Sequence, residues 1–235
     1  MRNCVKENEK TTCAPRFVVW DMDGTVLNTL DDLTDAVNHV MRRYGLPESG
    51  VEEYRLYFGN GIRQAIRLAV TKAAEVSEET LDEMVEVFRE YYDVHCLDQT
   101  RPYAGVLEAM KTLKKLGFRM AIVSNKIDSA VQELNARFFA EYVDVAIGER
   151  EGVRRKPAPD MVIEALRELG ATAEEAVFVG DSEVDYQTAM NAALPCITVL
   201  WGFRDREQLE ALGAERFAEA PADVVTLLRE MKEEA

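Results

Sequence analysis

The chain has 235 residues, 47% of them hydrophobic, and carries 43 acidic side chains against 28 lysines and arginines, a formal net charge of -15. That is enough apolar residue to bury a full core, in one large domain or a domain with a smaller insert, which excludes fibrous and disordered classes. The averaged field repels nucleic acid and anionic lipid, so neither is an expected partner, and an anionic substrate would need cations placed locally.

Residues 1–15 are polar and charged, with no apolar run long enough for a signal sequence or a membrane span. They are expected to form a loose, flexible tail, and the protein to be cytoplasmic. Cys4, Cys13, Cys96 and Cys196 show no CxxC spacing and are read as reduced thiols.

The first buried strand is predicted at Phe17 to Trp20. It runs into Asp21-Met22-Asp23-Gly24-Thr25. In extended geometry Asp21 and Asp23 point to the same side, so two carboxylates stand together where the strand ends. Gly24 permits a sharp turn with exposed amides that can hold phosphate oxygens, while one carboxylate attacks phosphorus and the other handles protons. An isolated DxDG turn is more often a simple capped strand-to-helix corner, and it is the polar clusters at the later strand ends that favour chemistry here.

From about Thr29 to Asp98 the pattern is helix after helix. Leu30, Leu33, Val37, Val40, Met41 and Tyr44 form one apolar stripe; Leu81, Met84, Val85 and Phe88 form another after a Ser77 N-cap. About seventy residues is much more than one crossover needs, so residues 29–98 are expected to form a helical cap inserted into a core of residues 16–28 and 99–235. Within it, Gly59-Asn60-Gly61 leads into a helix with Arg63 in its first turn. Asn60, Gly61 and Arg63 are candidates for holding a second anionic group of a substrate, against a plain turn followed by solvated arginines.

Further strands are predicted at Phe118 to Val123, Tyr142 to Ile147, Ala176 to Val179 and Cys196 to Leu200, with helical spacing between them at Val106 to Leu116 and Met161 to Leu169. Alternating strand and helix implies an α/β, doubly wound, parallel-sheet (Rossmann-like) core. The second predicted strand ends in Ser124 and Asn125, suited to an anion. The basic run Arg154-Arg155-Lys156 offers a cation for phosphoryl oxygens without indicating which residue supplies it. The fourth predicted strand ends in Gly180-Asp181, with Asp185 one helical turn later. Ligands bind beyond the carboxyl ends of such strands, and so many converging carboxylates call for a hard cation, best Mg²⁺.

With DMDGT from Asp21, SN at Ser124, KPAPD from Lys156 and GDSEVD from Gly180 in this order, the chain resembles the haloacid dehalogenase-like hydrolase superfamily, in its phosphoglycolate phosphatase-like branch. The resemblance implies a phosphatase in which Asp21 forms an aspartyl phosphate and Asp23 acts as acid, then base. It further implies that Lys156 steadies nucleophile and phosphate, that Ser124, Asn125, Gly24 and Thr25 surround the phosphate, and that Thr25 orients its neighbours. Asp21, the Asp23 backbone carbonyl and Asp181 would hold Mg²⁺, supported by Asp185. The substrate implied is a small-molecule phosphate ester, 2-phosphoglycolate first, handled by a monomer or homodimer. Dehalogenases of this fold dispense with the second carboxylate, and phosphonate-cleaving relatives need a cap lysine that Lys72 does not convincingly supply. Related sugar phosphomutases tend to carry an acid where Gly180 stands. A mutase is nevertheless kept as an alternative, with a nucleotide or pyrophosphate phosphatase, a phospho-accepting signalling receiver and a catalytically dead binding protein of this fold.

Overall fold

The computed structural model describes residues 14–235, so the expectation for the tail, and those for Cys4 and Cys13, lie almost entirely outside the described residues. In chain order the elements are β1 (Phe17–Trp20), β2 (Leu27–Asn28), α1 (Leu30–Arg43), α2 (Val51–Tyr54), α3 (Ile62–Thr71), α4 (Glu78–His95), β3 (Arg101–Pro102) and α5 (Val106–Lys115). There follow β4 (Arg119–Ile127), α6 (Asp128–Phe138), β5 (Val145–Glu149), α7 (Asp160–Leu169), β6 (Ala176–Gly180), α8 (Glu183–Asn191), β7 (Cys196–Val199), α9 (Arg206–Glu210), β8 (Phe217–Ala218) and α10 (Pro221–Glu233).

Six strands make one parallel sheet in the order β5-β4-β1-β6-β7-β8. All four residues of β1 are buried because helices cover both faces, as parallel sheets require. Val18 and Trp20 face a cluster with Met110 of α5, Val131 of α6 and Val224 of α10, whereas Phe17 and Val19 face one with Met161 of α7 and Ala189 of α8. The sheet is therefore doubly wound, as its alternating sequence implied.

Helices α1 to α4 build a separate apolar cluster around Val37, Met41, Ile66, Met84 and Phe88. The Ser77 side chain caps α4, accepting the Thr80 N–H at 3.1 Å. Both connections to the sheet run through the short antiparallel pair β2 and β3, where Asn28 lies opposite Arg101. Beside it the buried Asp32 carboxylate accepts the backbone N–H groups of Gln99 and Thr100, at 2.9 and 2.8 Å.

Some boundaries differ from expectation. Strand β4 continues through Ser124, Asn125 and Lys126, with irregular pairing to β5 between Val123 and Ile127. Strand β5 starts at Val145 because the amides of Tyr142 and Val143 bond the Phe139 carbonyl and close the end of α6. Cys96 and Cys196 are buried free thiols. Among the described residues no helix is long and apolar enough to cross a membrane.

Candidate active site

Strand β1 lies between β4 and β6, so the carboxyl ends of all three meet at the middle of the sheet edge. That is where open α/β sheets place ligands. Asp21 follows β1 directly, its N–H held by the Val179 carbonyl at 2.9 Å. Lys156, from the loop before α7, donates to Asp21 Oδ1 at 2.5 Å and to Asp185 Oδ1 at 2.6 Å. The other Asp185 oxygen accepts the Ser182 hydroxyl at 2.6 Å and the Ser182 N–H at 3.1 Å. Asp181 is fixed between the Thr25 hydroxyl and the Phe203 N–H, each at 2.7 Å.

Asp21, Asp181 and Asp185 each bring one oxygen within 4.8 Å of the others, all three residues being buried. One ammonium does not balance them. Burial and then the Asp185 charge push the Asp21 carboxyl well above its ordinary range, although Lys156 pulls against them. Burial and Asp185 likewise lift Asp181 to about 7. Burial would depress Lys156, but Asp185 and Asp21 hold it above the ordinary lysine value, so it stays charged. Excess buried negative charge on an all-oxygen donor set is the environment that a hard divalent cation fits.

Three glycines make this packing possible. A Cβ on Gly24, whose φ is +87°, would lie 2.5 Å from Asp181 Oδ2, one on Gly202 2.3 Å from the Asp181 Cβ, and one on Gly180 2.3 Å from the Asp185 Cβ. Position 180 therefore has no room for an acidic side chain.

Asp23 stands apart from the three acids. Its carboxylate is held by the Lys126 ammonium, 2.8 Å from Oδ1 and 3.0 Å from Oδ2. Lys126 is buried, and its Nζ lies 4.7 Å from the centre of the Tyr92 ring of α4. Burial would lower its pKa, yet the Asp23 charge keeps it above the ordinary lysine range. Sequence reasoning passed over Lys126, although it directly follows Ser124 and Asn125 and shares a strand face with Ser124.

These groups open into a cavity of about 60 Å³ whose walls include Asp21, Asp23, Ser124, Asn125, Lys126 and Lys156. The Ser124 oxygen accepts the Lys126 N–H at 3.2 Å, which leaves its own proton free. Asn125 donates to the Lys156 carbonyl at 3.0 Å and to the Gly59 carbonyl at 3.2 Å, so it also ties the helical insertion to the sheet. Of the three basic residues only Lys156 enters the site. Arg154 pairs with Asp160 at 2.8 Å, and Arg155 is exposed, its guanidinium lying against Gly61.

Several expected contacts are not formed. The Gly24 and Thr25 amides bond the carbonyls of Leu27 and Met22, so the turn spends them internally, and the Thr25 hydroxyl serves Asp181 rather than the cavity. Arg63 does not reach the cavity either. Ile62 lines it instead, which turns Arg63 toward α4, where its guanidinium bonds Asp82 and Glu78, each at 2.9 Å. Asn60 is exposed, and of the Gly59 to Gly61 turn only the two glycines line the cavity. Another unanticipated residue, the buried Arg204, donates to the Arg55 and Phe58 carbonyls of the insertion and pairs with Glu183 at 2.6 Å.

A sequence profile described as haloacid dehalogenase-like hydrolase matches residues 18–199. The chain belongs to that family. Phosphoglycolate phosphatase 1 of Pseudomonas aeruginosa is 32% identical over 225 residues, covering 94% of this chain and 79% of its own. Phosphoglycolate phosphatase of Mesorhizobium japonicum is 31% identical over 198 residues, covering 83% and 86%. A crystal structure of a phosphoglycolate phosphatase candidate from Lactobacillus delbrueckii subsp. bulgaricus superposes with a TM-score of 0.88 at 35% identity, covering 92% of this chain and 99% of that one. The chain thus falls in the phosphoglycolate phosphatase-like branch of the haloacid dehalogenase-like hydrolases, and it is a phosphatase.

Proposed function

We propose that the protein is a Mg²⁺-dependent phosphomonoester hydrolase that works through an aspartyl phosphate on Asp21, with 2-phosphoglycolate as the leading substrate. The observation that carries this is the buried Asp21 carboxylate, clamped by Lys156 in a cluster with Asp181 and Asp185, in a cavity that Asp23 also lines. Asp21 attacks phosphorus as the ester P–O bond breaks, and Asp23 gives its proton to the departing alcohol oxygen. In the second half Asp23 takes a proton from the water that attacks phosphorus, and Asp21 is released with inorganic phosphate. Lys156 holds the nucleophile in place and faces phosphoryl oxygens, while Ser124 and Asn125 border the phosphate. Mg²⁺, held by Asp21, Asp181 and the Asp23 backbone carbonyl with Asp185 behind them, would offset the negative charge on the transferring group.

Residues 29–98 act in this reading as a cap that closes over the substrate and excludes water. The small cavity, against the ~300–1,000 Å³ of sites for drug-sized ligands, supports a small metabolite. The crowding at Gly180 weighs against a mutase-type acid at that position. The test is phosphate release from a panel of monoesters with Mg²⁺. Activity is expected with Mg²⁺, with EDTA abolishing it, and Asp21→Asn is expected to be folded and inactive. Wild-type-like turnover in Asp21→Asn would end the mechanism.

A further inference from the structure

The mechanism leaves Lys126 without a function beyond holding Asp23. An ammonium has three N–H donors, and the two Asp23 oxygens are its only hydrogen-bond partners among the described residues. Beside it the buried Tyr92 hydroxyl lies close enough to the ammonium to help hold it charged, and its own proton has no acceptor among the described residues. Both side chains line the cavity, Lys126 against Asp23 and Tyr92 against Lys126. Buried donors left unpaired cost free energy, which points to a ligand acceptor.

Position decides what that acceptor is. If Asp23 protonates the leaving alcohol, the ester oxygen sits within hydrogen-bond reach of Asp23, and Lys126 Nζ is only 2.8–3.0 Å from the Asp23 oxygens. A group one or two bonds beyond the ester oxygen therefore comes within reach of Lys126 and Tyr92. The other cavity lysine is committed to Asp21 and Asp185 on the phosphoryl side. The insertion contributes Phe58, Ile62 and Phe88 to the remaining wall, which offer no cation.

We infer that Lys126 and Tyr92 form an anion subsite that selects phosphate esters whose leaving group bears a carboxylate next to the ester-bearing carbon. The subsite deepens the hydrolase reading and rests on it. It also takes over the role expected of Arg63, which is spent on Glu78 and Asp82.

The test compares kcat/KM for 2-phosphoglycolate with that for ethyl phosphate, similar in length but without the carboxylate, in wild type, Lys126→Met and Tyr92→Phe, with Mg²⁺ present. Losing the support of Asp23 slows both substrates in Lys126→Met, so the readout is their ratio. Wild type is expected to prefer 2-phosphoglycolate. The preference should fall about 10- to 150-fold in Lys126→Met and about 10-fold in Tyr92→Phe, the range for a hydrogen bond to a charged group. Tyr92→Phe removes only an unpaired hydroxyl, so it decides the matter if Lys126→Met does not fold. An unchanged ratio in the folded variants, or no preference in wild type, overturns the subsite while leaving the hydrolase intact. Failure of the hydrolase reading is distinguishable, because Asp21→Asn would then retain turnover of both esters.

Discussion

Lys156 is the buried cation shared by two buried carboxylates, and that fixes what its loss should do. Removing one partner of a buried ion pair strands uncompensated charge, typically at about 3–5 kcal/mol. Lys156→Met is accordingly expected to lower the urea midpoint of the metal-free protein by a corresponding amount and to abolish turnover. A variant as stable as wild type would mean that Asp21 and Asp185 are protonated and not ion-paired. Asp23 is more exposed and is predicted to behave differently. Asp23→Asn should keep the fold and lose about 10²–10⁴-fold in kcat, the usual worth of positioned acid-base help. With an activated ester such as p-nitrophenyl phosphate, which needs least protonation of its leaving group, Asp23→Asn should give a burst of p-nitrophenol without sustained turnover, because Asp23 also activates the water of the second step. The absence of a burst would contradict this.

The helical insertion has its own apolar core, yet specific side chains fasten it to the sheet. Phe203, from the segment after β7, is buried in the insertion's cluster, Asn125 reaches the Gly59 carbonyl, and Arg204 reaches the Arg55 and Phe58 carbonyls. The Asn125 and Arg204 hydrogen bonds fall on the segment that leads into α3, where the Phe203 ring also meets Phe58, whereas β2, β3 and Asp32 hold the other end. Arg204→Met should cost about 1.5–3 kcal/mol, the range for hydrogen bonds to a charged group. The lower part of that range is favoured because the Glu183 side chain, 41% exposed, can be rehydrated. The denaturation midpoint measures this, and limited proteolysis should find the Arg55 to Gly61 segment cut faster than in wild type. Unaltered cleavage there would mean that Arg204 does not fasten the insertion.

For the molecule as a whole, folding gathers three carboxylates into a buried site that their own charge disfavours, so a bound cation should stabilise the entire fold. Mg²⁺ at a hundred times its dissociation constant adds about 2.7 kcal/mol by mass action, and the melting temperature should rise accordingly. Asp181→Asn should raise the metal-free melting temperature by relieving repulsion and erase most of the Mg²⁺ increment. An equal increment in wild type and variant would place the cation elsewhere. Much of this architecture was legible in the chain, because burial repeats locally. The apolar runs at Phe17 to Trp20 and Ala176 to Val179, and the stripe from Leu33 to Met41, each reveal which face must leave water, and polar residues at the strand ends mark where a site can open. The sequence by itself thus determined the sheet, the inserted helices and the convergence of Asp21 and Asp181, whereas Lys156 was singled out from Arg154 and Arg155 only by the family resemblance. Only the tertiary structure decided which polar groups satisfy one another. Asp23 and Lys126 are 103 positions apart, Thr25 and Asp181 are 156, and Arg63 finds its acids on a different helix. Such pairings depend on how whole elements pack, and no local periodicity encodes them, which is why the turn at Gly24 faces its own backbone and the cation beside Asp23 in the cavity is Lys126, while Arg63 pairs with Asp82 and Glu78.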